Sequence, residues 1–179
     1  MHNFSSDPSY PIGKYQPQPF STEQKRKWIQ DIQFLPALLE ASIENLDEHQ
    51  LNTPYREGGW TINQLVHHVA DSHINAYIRF KLALTEEKPT IKPYEEKLWA
   101  EMDDVDRVPV NISITLLYTL HSRWHASILN LSDDKWEGRS VIHPQHGREM
   151  SLWFLLGMYA WHGKHHVAHI TALKEKMGW

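Results

Sequence analysis

His162 and His166 stand four residues apart in the stretch 151–179, SLWFLLGMYAWHGKHHVAHITALKEKMGW. Each residue of a helix advances about 100° around the axis, so side chains at i and i+4 leave the same face. On that wheel Leu152, Leu155, Tyr159, Ile170 and Leu173 share one face, with His162 and His166 at its centre. His169 lies at the edge of the face, and His165 lies further round beside Phe154 and Met158. Two imidazoles projecting from one turn of an apolar face are the beginning of a divalent-metal site. Two ligands do not complete one, so a third must come from elsewhere. Supply is not the difficulty: the chain has 13 His against 18 Lys plus Arg.

The elements that would position these rings follow from periodicity. Four prolines between residues 8 and 19 make residues 1–20 an extended arm laid over the domain. Ser21 and Gln24 form a capping-box pattern that starts a first long helix, running to about Leu46. Its stripe is Trp28, Ile32, Leu35, Leu39 and Ile43, with a kink at Pro36. Turn chemistry at Thr53-Pro54 and Gly58-Gly59 precedes a second helix, capped by Thr61 and reaching about Thr85. His68 shares a stripe there with Leu65, Ser72, Asn75 and Arg79, which is either a cavity lining or a solvated face. Residues 86–111 form a long connection with an acidic run, and 92–102 hold a short helix. A connection of that length can cross over a bundle. The third long helix runs from about Ile112 to Leu131 and carries His121 and His125, a second i,i+4 pair. Residues 132–150 are a loop in which His143 to Gly147 form the tip of a small hairpin. Four long helices without repeats predict an all-α four-helix bundle in one domain, 1–179.

Composition narrows the function. A net charge of −4 offers no nucleic-acid surface. No apolar run approaches the roughly 18 residues of a membrane span, and the N-terminus lacks a signal-peptide pattern, so a cytoplasmic protein is expected. Absence of cysteine excludes disulfides, thiolate ligands and a cysteine nucleophile. The question becomes which histidines converge. The second helix offers His67 or His68, the third offers His121 and His125, and the fourth offers His162 and His166.

The chain resembles the YfiT family within the DinB-like superfamily of metal-binding four-helix bundles. The resemblance is carried by Tyr10-Pro11-Ile12-Gly13-x-Tyr15 and Thr53-Pro54-Tyr55-Arg56-x-Gly58-Gly59-Trp60-Thr61. It continues in Val66-His67-His68-x-Ala70-Asp71-Ser72-His73 and Tyr77-Ile78-Arg79-Phe80-Lys81. It closes with Trp161-His162-x-x-His165-His166-x-Ala168-His169-Ile170-Thr171 and Met177-Gly178-Trp179. The resemblance implies that His68, His162 and His166 are the ligands, usually of zinc, with nickel and other divalent ions accepted. The family keeps His121-x-Arg123-Trp124, and His125 departs from its pattern. His121, His165, His169 and Asp71 are then candidates for catalysis or for supporting the ligands. Arg79 and Arg123 are candidates to dock an anionic group of a small-molecule substrate. A homodimer is also expected, from the resemblance and from eight tryptophans, some of them exposed.

Three imidazoles with one open position at the ion allow two chemistries. Lowering the pKa of a bound water gives a metal-dependent hydrolase, the activity the family is described by. Lowering the pKa of a thiol gives an S-transferase for a low-molecular-weight thiol such as bacillithiol, as in related DinB-like proteins. A zincin peptidase is not expected, because Gly163 follows His162 where such enzymes carry a glutamate base. A bundle that holds metal without turnover, or whose histidines only pack, are the remaining classes.

Overall fold

The computed structural model describes residues 7–179 apart from residue 146. The first six residues of the N-terminal arm and one position of the hairpin tip thus lie outside the described residues. In chain order the elements are α1 (Thr22–Ile43), α2 (Glu48–Leu51), α3 (Ile62–Thr85), α4 (Glu96–Trp99), α5 (Asp103–Arg107), α6 (Val110–Ile128), α7 (Asp133–Gly138), β1 (Ser140–His143), β2 (Arg148–Ser151) and α8 (Leu152–Met177). The four long helices are those expected, and each boundary has a local cause. Ser21, Thr61 and Ser151 cap α1, α3 and α8 by accepting from the backbone N–H three residues on. Thr61 with Gln64 closes a reciprocal capping box, whereas at Ser21 only the hydroxyl half forms. α1 stops at Ile43, short of Leu46, because Asn45 turns to a positive φ of 64°. α6 begins and ends earlier than its apolar pattern indicated, at Val110 behind Pro109 and at Ile128. The acidic run folds into α5, and Asp133–Gly138 into α7, two short helices that periodicity cannot register.

The helices surround one interior in an order different from their order in sequence. α1 packs against α8 and α6, and α3 packs against the same two, so α1 and α3 are diagonal. Trp28 lies over Gly157, Leu35 over Gly163, and Lys174 donates to the Ser42 carbonyl, so α1 and α8 run parallel. His67 bonds Ser113 and His73 bonds His121, so α3 and α6 also run parallel. Parallel neighbours need a long return, which residues 86–109 provide. They come back along α3, held by Asn63 Nδ2 donating to the Val105 carbonyl and Gln64 Nε2 donating to the Ala100 carbonyl. The β1–β2 hairpin, in antiparallel register from Ser140↔Ser151 to His143↔Arg148, brings the chain into α8. Residues 7–20 lie along α8 as an arm, where Trp153 and Trp161 donate their indole N–H groups to the Gln18 and Gly13 carbonyls.

The interior divides into two apolar clusters. One gathers Trp28, Ile32, Phe80, Trp124, Trp136, Trp153 and Leu155. The other gathers Leu35, Leu39, Ile62, Leu65, Leu117, Ile170 and Leu173. On each long helix the boundary falls in one place: between 32 and 35, 70 and 76, 117 and 124, 160 and 170. His73, His121, His162 and His166 occupy that boundary. Trp99 is the one tryptophan that is exposed among the described residues, so tryptophan count marks no interface.

A Cβ at Gly157 would sit 2.6 Å from the Trp28 ring and would also meet the Tyr15 hydroxyl. Gly→Ala in an open helix gains about 1 kcal/mol. Overpacking against a buried indole costs about 1–3 kcal/mol, so the clash wins. Gly157→Ala is expected to lower the thermal midpoint by about 2–8 °C, read by circular dichroism. A raised midpoint would show that α8 shifts on α1 without penalty.

Candidate metal centre

His68 on α3 and His162 and His166 on α8 are the side chains whose ligand nitrogens converge, all within 4.8 Å of one another. Nε2 of His162 lies 3.4 Å from Nε2 of His68 and 3.1 Å from Nε2 of His166. Tetrahedral zinc with Zn–N bonds of about 2.0–2.1 Å places its ligand nitrogens about 3.3 Å apart. Both separations therefore match the edge of that tetrahedron. Burial pushes His68 down to about 4 and His162 and His166 well below the usual imidazole value, so all three are neutral at pH 7. Trp60 packs on the His68 ring at 4.5 Å between centroids and holds it from the far side.

A hydrogen-bonded chain of rings fixes which nitrogen of His162 is bare. A carbonyl only accepts, so Nδ1 of His121, in contact with the Ile32 carbonyl, carries its hydrogen. The other nitrogen of neutral His121 must accept, and it faces Nδ1 of His73 at 3.0 Å. His73 then donates from Nδ1, leaving Nε2 to accept from Nδ1 of His162 at 3.3 Å. Nε2 of His162 is left as a lone pair aimed at the other two rings. Lone pairs meeting at such distances repel one another unless a proton or a cation lies between them. The donor set therefore suits a divalent ion.

His73 is the residue that sequence reasoning did not place. Its signal was present: it interrupts the apolar stripe Val69, Ala76, Phe80 of α3, and it is fully buried. His67 turns away from the cluster, bonded to Ser113 Oγ at 2.8 Å and to the Val108 carbonyl at 3.0 Å. Of the other candidates, His121 backs His73 and does not border the three nitrogens. His165 and His169 bond each other, Nε2 to Nε2 at 3.1 Å, under Trp161 and Tyr55. Among the described residues Asp71 makes no hydrogen bond to a ring; burial first, and then Asp104, push its carboxyl up to about 6. His125 is half-buried with no ring contact to the cluster. Arg123 is exposed and lies over the Tyr77 ring, away from the cavity described next.

His162 lines a cavity of about 560 Å³. Ser72 and Arg79 line it from α3, Tyr159 and Trp161 from α8, His143 from β1 and Tyr94 from the long connection. The polar stripe of α3 thus faces an interior space, with Arg79 buried in its wall.

Comparison with known proteins places this arrangement in context. Residues 32–170 match the family model described as the DinB superfamily. The chain is 50% identical over 172 residues to the "Putative metal-dependent hydrolase YfiT" of Bacillus subtilis (strain 168), covering 96% of each chain. It is 49% identical over 175 residues to a Bacillus cereus (strain B4264) protein likewise named a "Putative metal-dependent hydrolase", covering 97% of this chain and 99% of that one. The solved structure of the B. subtilis protein superposes with a TM-score of 0.93 at 50% identity, covering 96% of this chain and 98% of the other. That structure is described as "a probable metal-dependent hydrolase with an unusual four-helix bundle topology".

Two outcomes follow from the rings. His162→Ala is expected to abolish stoichiometric zinc binding and His125→Ala to leave it intact. His73→Leu should weaken binding about 10- to 100-fold in a folded protein, the range for losing a ligand's hydrogen-bond partner. Competition with a chromogenic chelator reads all three, and equal losses at 162 and 125 would displace the site. The second outcome concerns acid. His68 and His121 are each pushed from about 6.5 down to about 4. A depressed basic group lends stability that is complete above pH 6.5 and lost as pH falls toward the folded value. Up to about 2 kcal/mol per ring is gone by pH 5. Thermal midpoints of the metal-free protein should fall between pH 6.5 and 4.5, and a flat profile there would contradict the burial argument.

Proposed function

The chain belongs to the DinB superfamily, and on that premise we propose that it is a metal-dependent hydrolase of small molecules. Its divalent ion, zinc in this reading, is held by His68, His162 and His166. The observation that carries the proposal is the convergence of three neutral imidazole nitrogens, one of them on His162 in the lining of a cavity of about 560 Å³. When bound, the ion supplies the Lewis acidity that brings the pKa of a water held at the open position toward 7.

The chain's own residues do the remainder. His73 and His121 hold His162 in the one tautomer that presents a bare Nε2. Trp60 and the two apolar clusters on either side fix the rings and exclude bulk water. A ligand in the cavity lies against His162, which lines it. The cavity's volume lies within the range of ordinary small-molecule sites.

One feature favours a second reading, thiol S-transfer. Among the described residues no carboxylate hydrogen-bonds to any of the three rings, so none is fixed against them as a base. Water and thiol alike pass a proton to solvent or to the cavity wall, but a thiol, with a free pKa of about 8.5 against about 15.7 for water, needs less assistance to release it.

A metal-resolved activity assay separates these readings. Purified protein is expected to carry one divalent ion per chain and to hydrolyse members of an ester and amide panel. Stripping with a chelator should remove the activity, and one equivalent of zinc should restore it. Consumption of bacillithiol with an electrophile, without hydrolysis of the panel, would replace the first reading by the second. Protein that retains no ion would remove both.

A further inference from the structure

Arg79 is a buried cation without an anionic partner. It is 8% exposed, and its Nη1 donates to the Tyr159 hydroxyl at 2.7 Å. Among the described residues no Asp or Glu forms an ion pair with it. Tyr159 is itself fully enclosed, and burial pushes its phenol up, so it remains a neutral acceptor. A guanidinium presents five donors in a planar fork suited to a two-oxygen anion. One neutral hydroxyl satisfies little of that capacity or charge. Buried charges are ordinarily paired, and an unpaired one in a cavity wall marks a place where charge arrives from outside.

The position of Arg79 gives this consequence. It and His162 line the same cavity, and Tyr159 links them, bonded to Arg79 and edge-on to the His162 ring at 6.1 Å between centroids. Met150, Met158 and Trp161 supply apolar wall, and Arg148, which also lines the space, is exposed and lies over the Phe154 ring. Glu95 and Glu96, the acidic residues that border the space, are exposed on or beside α4, as is Lys97. We propose that Arg79 docks a carboxylate carried by the substrate, so that a substrate with one anionic end and one electrophilic end is held with the latter against His162. This rests on the hydrolase reading for the second end alone, since the anion subsite belongs to Arg79 and Tyr159 whether or not turnover occurs.

Two measurements on the full chain test it separately. In the first, acetate, succinate and inorganic phosphate are titrated into metal-free protein, following the Arg79 side-chain N–H resonance. Succinate and acetate are expected to shift that resonance and phosphate to do so less. Arg79→Gln should weaken carboxylate binding about 10- to 100-fold, the range of a charge-assisted hydrogen bond. Zinc affinity should be unchanged in that variant. In the second, metal-loaded protein is given an ester bearing a free carboxylate and the same ester with that group methylated. Arg79→Gln should lower kcat/KM about 10-fold or more for the first and less than about twofold for the second, with Arg79→Lys recovering part of the loss. No carboxylate binding to metal-free wild type overturns the proposal. So does an equal loss on both esters, and so does phosphate binding in preference to carboxylates. Failure of both esters to turn over would count against the hydrolase reading, and the first measurement would still decide the subsite.

Discussion

A layer of imidazoles inside a helical core has to satisfy its own polar atoms. His73, His121, His162 and His166 sit where the two apolar clusters meet, and His68 borders them on the side of the second. Charging them there is unfavourable, and each neutral ring still carries one N–H that needs an acceptor. One backbone carbonyl, that of Ile32 on α1, starts the solution. It accepts from His121, which accepts from His73, which accepts from His162, so that a lone pair on His162 Nε2 is what the layer presents to His68 and His166. Metal readiness at α8 is thus fixed from α1, two rings away.

That chain of rings requires all four long helices to meet at one level, and the topology provides it. An up-and-down bundle would put α3 beside α1. Here α3 and α6 run parallel, so His73 and His121, each eleven residues into its helix, fall side by side. The long return along α3 makes this possible, and it also contributes Tyr94 to the cavity wall. α1 and α8 run parallel through the close approaches at Gly157 and Gly163, which set α8 at the depth where its histidines reach α3. Gly163 is therefore explained twice. No glutamate base stands there, and a side chain would push α8 away from Leu35.

Charge is handled differently on the two sides of the layer. At the imidazoles burial keeps every group neutral, which suits ligands that must offer lone pairs. In the cavity wall the Arg79 guanidinium has a phenol as its partner. One space therefore borders both a neutral, electron-rich imidazole and a guanidinium.

Much of this was legible in the residues. Period 3.6 located four long helices, and the caps at Ser21 and Thr61 were readable because capping is local chemistry. His162 and His166 on one helix face followed from spacing alone. Other features depended on which helices become neighbours, and no local pattern encodes that. His67 and His68 are adjacent in sequence, and only the position of α6, with Ser113 and the Val108 carbonyl, takes one away from the cluster and leaves the other in it. Arg79 and Arg123 looked alike as charges on helices, and packing put one in a cavity wall and the other over Tyr77 at the surface. His73 showed as a polar break in an apolar stripe, yet its role required His121 and His162 to arrive from two other helices. The sequence determined the elements and the donor types, because helix periodicity and side-chain chemistry are short-range. The tertiary structure decided which donors converge and which nitrogen is bare, because hydrogen bonds between separate helices exist only after the helices have packed.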